Sequence, residues 1–136
     1  MRLKLVKPDE AIVLPEIISK EPLGPVVRSS DMPWFNLVKW MHVAMLNAED
    51  LGVTKANVEQ MLTSTNPEIR RLLGAEGKFG EAISMTPDWA YRIVKHVRNY
   101  GEAFKRNVGP SSLRKIARGK NDLWTKGGLQ YAPPIR

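Results

Sequence analysis

Residues 14–28, LPEIISKEPLGPVVR, constrain this chain more than any other stretch. Leu23 to Val27 is an apolar run interrupted by Gly24 and Pro25 and preceded by Pro22. Proline donates nothing to a hydrogen-bonded ladder, so such a run is confined to an edge strand or to an isolated extended crossing between two bodies. Residues 11–14 (AIVL), a short apolar run ended by Pro15, read as a buried strand entering that crossing. Thirteen residues precede the crossing segment, and helical patterns dominate the residues after it. The expectation is therefore one body present and another missing.

The rest of the 136 residues fits one domain by length. With 43% hydrophobic and 26% charged residues the chain is globular rather than disordered. No apolar run approaches the roughly twenty residues of a membrane-spanning helix. The N-terminus MRLKLVKPDE is basic but lacks an apolar core, so no signal peptide is expected in this chain. The absence of cysteine excludes disulfides, thiolate metal sites and cysteine nucleophiles. The net charge of +7 is uneven: residues 1–90 carry 10 Lys/Arg against 12 Asp/Glu, and residues 91–136 carry 11 against 2. A basic half of this kind serves nucleic acid, an anionic surface or an acidic protein, or is simply a solvated helix face.

Helix signals are plain. Asp31 and Pro33 open a helix running to about Asp50, and its apolar residues, among them Trp34, Phe35, Leu37, Trp40, Met41 and Val43, cover most of its circumference. Such a helix is expected to be surrounded by protein. Thr54 is expected to cap a short helix holding Val58, Met61 and Leu62. Asn66-Pro67-Glu68 starts another that ends at Gly74, and residues 74–80 form a glycine-containing loop. Thr86-Pro87-Asp88 opens a single helix to Gly109, with Trp89, Ile93, Val97, Tyr100, Phe104 and Val108 on one stripe. Ser111 or Ser112 would cap a last turn. The end, residues 122–136, reads as an irregular tail pinned by Trp124, Leu129 and Tyr131.

Catalytic chemistry has no visible carrier. His42 and His96 sit alone on helices, with no second ligand at metal spacing. Glu76, Glu81 and Asp88 are not tied together as an acid/base pair. Gly74, Gly77 and Gly80 are regularly spaced, but no strand precedes them and no Gly-Lys-Ser/Thr comes after, so they make no phosphate loop. Arg70-Arg71 reads as a solvated face. Trp89, Tyr100 and Phe104 share a stripe, which argues for burial rather than base stacking. No catalytic residue, metal site or cofactor is expected.

Four segments carry a resemblance: LPEIISKEPLGPVVR (14–28), NPEIRRLLG (66–74), DWAYRIVKHVRNYGEAFKRNVG (88–109) and LWTKGGLQYAPPIR (123–136). Together they resemble the C-terminal part of general L-amino-acid-binding periplasmic proteins, the family 3 solute-binding proteins of ABC importers. That family closes two α/β lobes on an amino acid about a hinge of crossing strands. The resemblance implies a mostly α chain with one or two short β-strands, a C-terminal fragment of that two-lobe α/β fold. Residues 1–28 would hold the last strand of lobe two and the hinge crossing, with Glu21, Pro22, Leu23 and Gly24 hinge-like. Residues 29–136 would be the helical C-terminal part of lobe one. The family grips its ligand through an arginine, backbone N–H groups and an aspartate, and no residue here matches those motifs. The implied role is a non-catalytic substrate-binding component of an amino-acid importer, periplasmic, partnered in full length by an L-amino acid and a membrane permease.

A sheetless helix 31–50 would leave an apolar patch open, so the chain alone is expected to form a homodimer. Two alternatives compete: a small basic helical protein that binds nucleic acid through residues 91–136, and a structural oligomerisation module. Nucleic acid is not the expected partner.

Overall fold

Backbone N–H groups at a helix start need acceptors, and this chain supplies them from short polar side chains placed just before proline. Asp31 accepts from the Trp34 N–H at 3.0 Å ahead of Pro33, and Asn66 accepts from the Glu68 N–H at 2.9 Å ahead of Pro67. The computed structural model describes residues 4–12, 14–16 and 23–135. Among them stand five α-helices: α1 (Met32–Asp50), α2 (Val58–Met61), α3 (Pro67–Leu72), α4 (Trp89–His96) and α5 (Tyr100–Asn107). Single 3-10 turns stand at Pro8–Glu10, Phe79–Ile83, Gly119–Asn121 and Trp124–Lys126. Strand pairing among the described residues is one parallel bridge, Leu123 with Gln130.

The long α1 is the spine, and α3, α4 and α5 pack against it. Ala44 and Ala48 on α1 and Ala90 on α4 are fully buried. Side chains this small let two backbones come close. Val53, Val58, Leu72, Leu73 and Val94 fill the remaining core. Complete burial of one such aliphatic residue stabilises by about 1.5–3 kcal/mol.

Five expectations differ from the structure. Of the expected strand 11–14, Val13 lies outside the described residues. Ala11 is extended (φ −105°, ψ 134°), but residues 11, 12 and 14 join no ladder. Ile12 and Leu14 are exposed, and among the described residues no neighbouring strand covers them.

The second correction concerns residues 86–109, which are two helices and not one. Val97 caps α4, and Arg98 takes φ +105°, a conformation no helix tolerates. Asn99 then restarts the chain through a capping box, accepting from the Glu102 N–H while the Glu102 carboxylate accepts from the Asn99 N–H. The Asn99 side chain also donates to the Val53 carbonyl at 2.8 Å, and Glu102 accepts from the Lys55 N–H at 3.1 Å. One buried asparagine thereby ties the α1–α2 loop to the α4–α5 joint. Val97, expected on the apolar stripe, is exposed at the break.

Third, the tail is not pinned as expected: Trp124, Leu129 and Tyr131 are all exposed, while Leu123 is buried. The Asn47 side chain donates to the Pro133 carbonyl at 3.0 Å, and Ile135 packs against the core. Ser111 and Ser112 start no helix; they lie in turns.

Last, α1 is not surrounded along its length. Its C-terminal half is buried at Val43, Ala44, Leu46 and Ala48, and its N-terminal half is open.

Candidate functional site: an uncovered apolar face and an arginine clamp

The open half of α1 is where the molecule looks unfinished. Met32 is 59% exposed, Trp34 51%, Phe35 42% and Met41 40%. Upstream, Leu23 and Val26 are almost wholly exposed. Pro25, Val26, Met32 and Phe35 line one open groove of about 360 Å³. Single exposed apolar residues are ordinary on a protein surface, but a contiguous set along a connecting segment and a helix start marks a surface made to be covered. Of the hinge-like residues, Glu21 and Pro22 lie outside the described residues. Leu23 and Gly24 are in coil, and a Cβ at Gly24 would meet nothing within 4 Å.

At the other end of α1 stands a charged clamp. Arg118 donates through both terminal nitrogens to the Glu49 carboxylate, at 3.0 and 3.1 Å, and both side chains are largely buried. Its Nε and one terminal nitrogen also donate to the Asn121 carbonyl at 3.2 and 3.0 Å, and Asp122 lies 3.5 Å away. The guanidinium covers the rings of Tyr100 and Phe104 at 5.3 and 5.2 Å. Planar, bidentate and stacked at once, this is a site where lysine cannot substitute. Gly101 makes room for it: a Cβ there would stand 2.6 Å from Glu49 Oε1. Nothing in the local pattern of the sequence marks Arg118, whose partner is 69 residues away. The clamp also answers the stacking question, since Arg118 occupies the faces of the two aromatics in the basic half.

Other charged groups tie helices together. Tyr91 donates to Glu59 at 2.8 Å and Lys95 reaches the same oxygen at 2.6 Å, joining α4 to α2. The Lys95 and Tyr91 hydrogen bonds hold the Glu59 carboxyl below its usual range, and the Glu59 partner raises Lys95. Asp88 is lowered by the Thr86 hydroxyl and then by Arg92, which donates at 2.7 Å. Arg70 faces Glu76 at 3.5 Å, and Arg71 donates to the Pro67 carbonyl. These are exposed surface pairings. Among the described residues no cluster of His, Cys, Asp or Glu could hold a metal ion, and no helix is long and apolar enough to cross a membrane.

His42 titrates abnormally for a simple reason. It is half-buried on α1, edge-on to Tyr100 at 5.3 Å, and desolvation lowers its pKa from 6.5 while a side-chain hydrogen bond with Gln130 opposes. A group whose folded pKa is depressed below 6.5 binds its proton more readily when unfolded. Its contribution to stability is therefore whole above pH 6.5 and declines as the pH falls from 6.5 toward the folded value. Denaturant unfolding across pH 7.5 to 5 should show this decline and should lose part of it in His42→Gln. An identical pH slope in the variant would refute the assignment.

No family model matches the chain. The general L-amino acid-binding periplasmic protein AapJ of Rhizobium johnstonii is 56% identical over 138 residues, covering 100% of this chain and 40% of that protein. The glutamate/glutamine/aspartate/asparagine-binding protein BztA of Rhodobacter capsulatus is 52% identical over 136 residues, 99% of this chain and again 40% of that protein. A solved structure, an ABC transporter/periplasmic binding protein from Brucella ovis with glutathione bound, matches with a TM-score of 0.94 at 55% identity, over 99% of this chain and 43% of that one.

Over its whole length the chain is similar to part of these longer periplasmic binding proteins.

It spans about 40% of the length of the curated relatives it matches. The helical arrangement, with almost no strand among the described residues, thus matches part of a periplasmic-binding-protein fold. The nucleic-acid alternative is not favoured, because the relatives are solute-binding proteins.

Proposed function

We propose that this chain serves as the C-terminal part of the substrate-binding component of an ABC-type amino-acid importer, working in the periplasm without catalysing a reaction. In this reading residues 1–28 contain the last strand of the second lobe and the crossing between lobes, with Glu21, Pro22, Leu23 and Gly24 in the hinge. Residues 29–136 are the helical end of the first lobe. The whole receptor's partners are an L-amino acid and a membrane permease. The observation that carries the proposal is the combination of a full-length match to 40% of longer receptors and an apolar face left open on α1. A surface completed by the rest of a receptor looks like this in its absence.

The chain contributes scaffold rather than ligand contacts. None of the charged groups in the ion pairs of α1 to α5 is a cationic pocket opposite a free carboxylate, the pairing an amino-acid zwitterion requires. Arg118, the most enclosed cation among the described ion pairs, is already committed to Glu49. Alone, the chain covers its open face with a second copy. Covering a large apolar side chain fully is worth about 1.5–3 kcal/mol, so partial cover of Met32, Trp34, Phe35 and Met41 supplies several kcal/mol toward association.

One preparation tests both statements. Calorimetric titration of the 136-residue protein with L-amino acids and with glutathione should release no saturable heat, whereas the same segment joined to the complementary 60% of a longer relative should bind. Light scattering should find a dimer that Trp34→Ser/Phe35→Ser shifts to monomer. Stoichiometric binding by the segment alone would overturn the scaffold reading, and a stable monomer would overturn the dimer.

A further inference from the structure

Residues 103–121 contain six basic residues and no acidic one, and they run from the end of α5 through the loop that comes after it. Arg118 is committed to Glu49, but Lys105 and Arg106 at the end of α5, Arg114 and Lys115 in the loop after it, and Lys120 are exposed and form no ion pair among the described residues. The loop is a built element. Ser111 N–H donates to the Lys105 carbonyl, the Ser112 hydroxyl to the Gly109 carbonyl at 2.8 Å, and Ile116 N–H to the Val108 carbonyl at 2.9 Å. At its tip Leu113 is 90% exposed, and Ile116 beside it is 47% exposed. A hydrogen-bonded loop that exposes aliphatic side chains directly beside exposed cations in the chain has the composition of an interfacial anchor: cations meet phosphate headgroups and the aliphatic side chains enter the acyl boundary. The acidic side chains nearest this end, Glu49, Glu102 and Asp122, lie in the groove beside Lys105 and pair with Arg118 and Arg98.

We propose that the loop at residues 109–117, with the end of α5, docks on an anionic lipid bilayer. Single-stranded nucleic acid fits less well, because it stacks on aromatic faces beside the cations, and the aromatics of α5, Tyr100 and Phe104, have Arg118 over their rings.

The test is cosedimentation of the 136-residue protein with phosphatidylglycerol/phosphatidylcholine vesicles and with phosphatidylcholine vesicles. The protein should favour the anionic vesicles, and high salt should release it. Arg114→Glu/Lys115→Glu should weaken partitioning by at least about tenfold. Leu113→Ser/Ile116→Ser should also weaken it. Both pairs should keep the parent circular dichroism, because these four side chains are exposed. Equal binding to both vesicle types, undiminished binding by the loop variants, or tighter binding to an oligonucleotide would each overturn the proposal.

Discussion

Arg118→Ala should cost about 3 kcal/mol of unfolding free energy, the largest effect expected of any polar substitution in this chain. Three losses combine. The Glu49 carboxylate, little exposed, is left without its bidentate partner. The Tyr100 and Phe104 rings lose a cation at 5.3 and 5.2 Å, a contact worth about 0.5–1 kcal/mol per ring where partly exposed. The Asn121 carbonyl loses both donors. Arg118→Lys should recover little, since an ammonium cannot span both carboxylate oxygens while also donating to the Asn121 carbonyl. Glu49→Gln should cost less than Arg118→Ala, because the rings keep their cation and one hydrogen bond survives. Amide exchange should locate the damage: the Leu129-to-Lys120, Gln130-to-Asp122 and Trp124-to-Gln130 bonds hold the tail and should open first. Loss of less than about 1 kcal/mol would mean that the pair behaves as an ordinary surface ion pair.

The clamp also marks the limit of what the sequence discloses. Local devices were legible. Asp31 with Pro33 and Asn66 with Pro67 place the starts of α1 and α3 because cap and proline act within four residues. The four segments that resemble solute-binding proteins led to the family, and the longer relatives agree. Arg118 pairing with Glu49 was not legible, because an ion pair 69 residues apart leaves no periodic trace.

The α4–α5 break was hidden for another reason. A stripe spaced 4, 4, 3, 4, 4 is satisfied equally by one helix and by two short ones whose apolar faces turn to the same core. The countersignal was present as Asn99 with Glu102 three residues later, the spacing of a capping box, and Gly101 between them. The open face of α1 was legible only in part. Apolar residues around the whole circumference indicated a helix wanting cover on all sides, and only the structure separates the half that has it from the half that does not. The strand expected at 11–14 joins no ladder among the described residues, because a strand is defined by its neighbour. Its apolar composition can be read from one chain, but its hydrogen bonds need a second strand.

Gly74→Ala should cost about 3 kcal/mol or more, and Gly52→Ala about 1 kcal/mol. The two glycines share nearly the same backbone, φ +75° and +69°, so the penalty for an L side chain in the left-handed region is common to both. Their surroundings differ. A Cβ on Gly52 would meet nothing within 4 Å, whereas one on Gly74 would overlap the Pro87 carbonyl and stand 2.9 Å from the Asp88 nitrogen. The obstacle is backbone, so no rotamer change relieves it. The chain at residues 86–88 must move, and it carries Asp88, the residue before α4, and through α4 the buried Trp89, Ala90 and Val94. Gly80 supports the same turn from another side, with its own Cβ position 2.7 Å from Trp89 and against the Thr86 carbonyl. Residues 74–80, which read in the sequence as a glycine-containing loop, are therefore the bed on which α4 is laid, and two of their glycines are there for space. Chemical denaturation of both variants separates contact from strain, because Gly52→Ala measures the backbone term by itself. Equal costs in the two would mean that the Thr86–Asp88 turn yields freely, and the close approach at Gly74 would then have no part in holding α4 to the core.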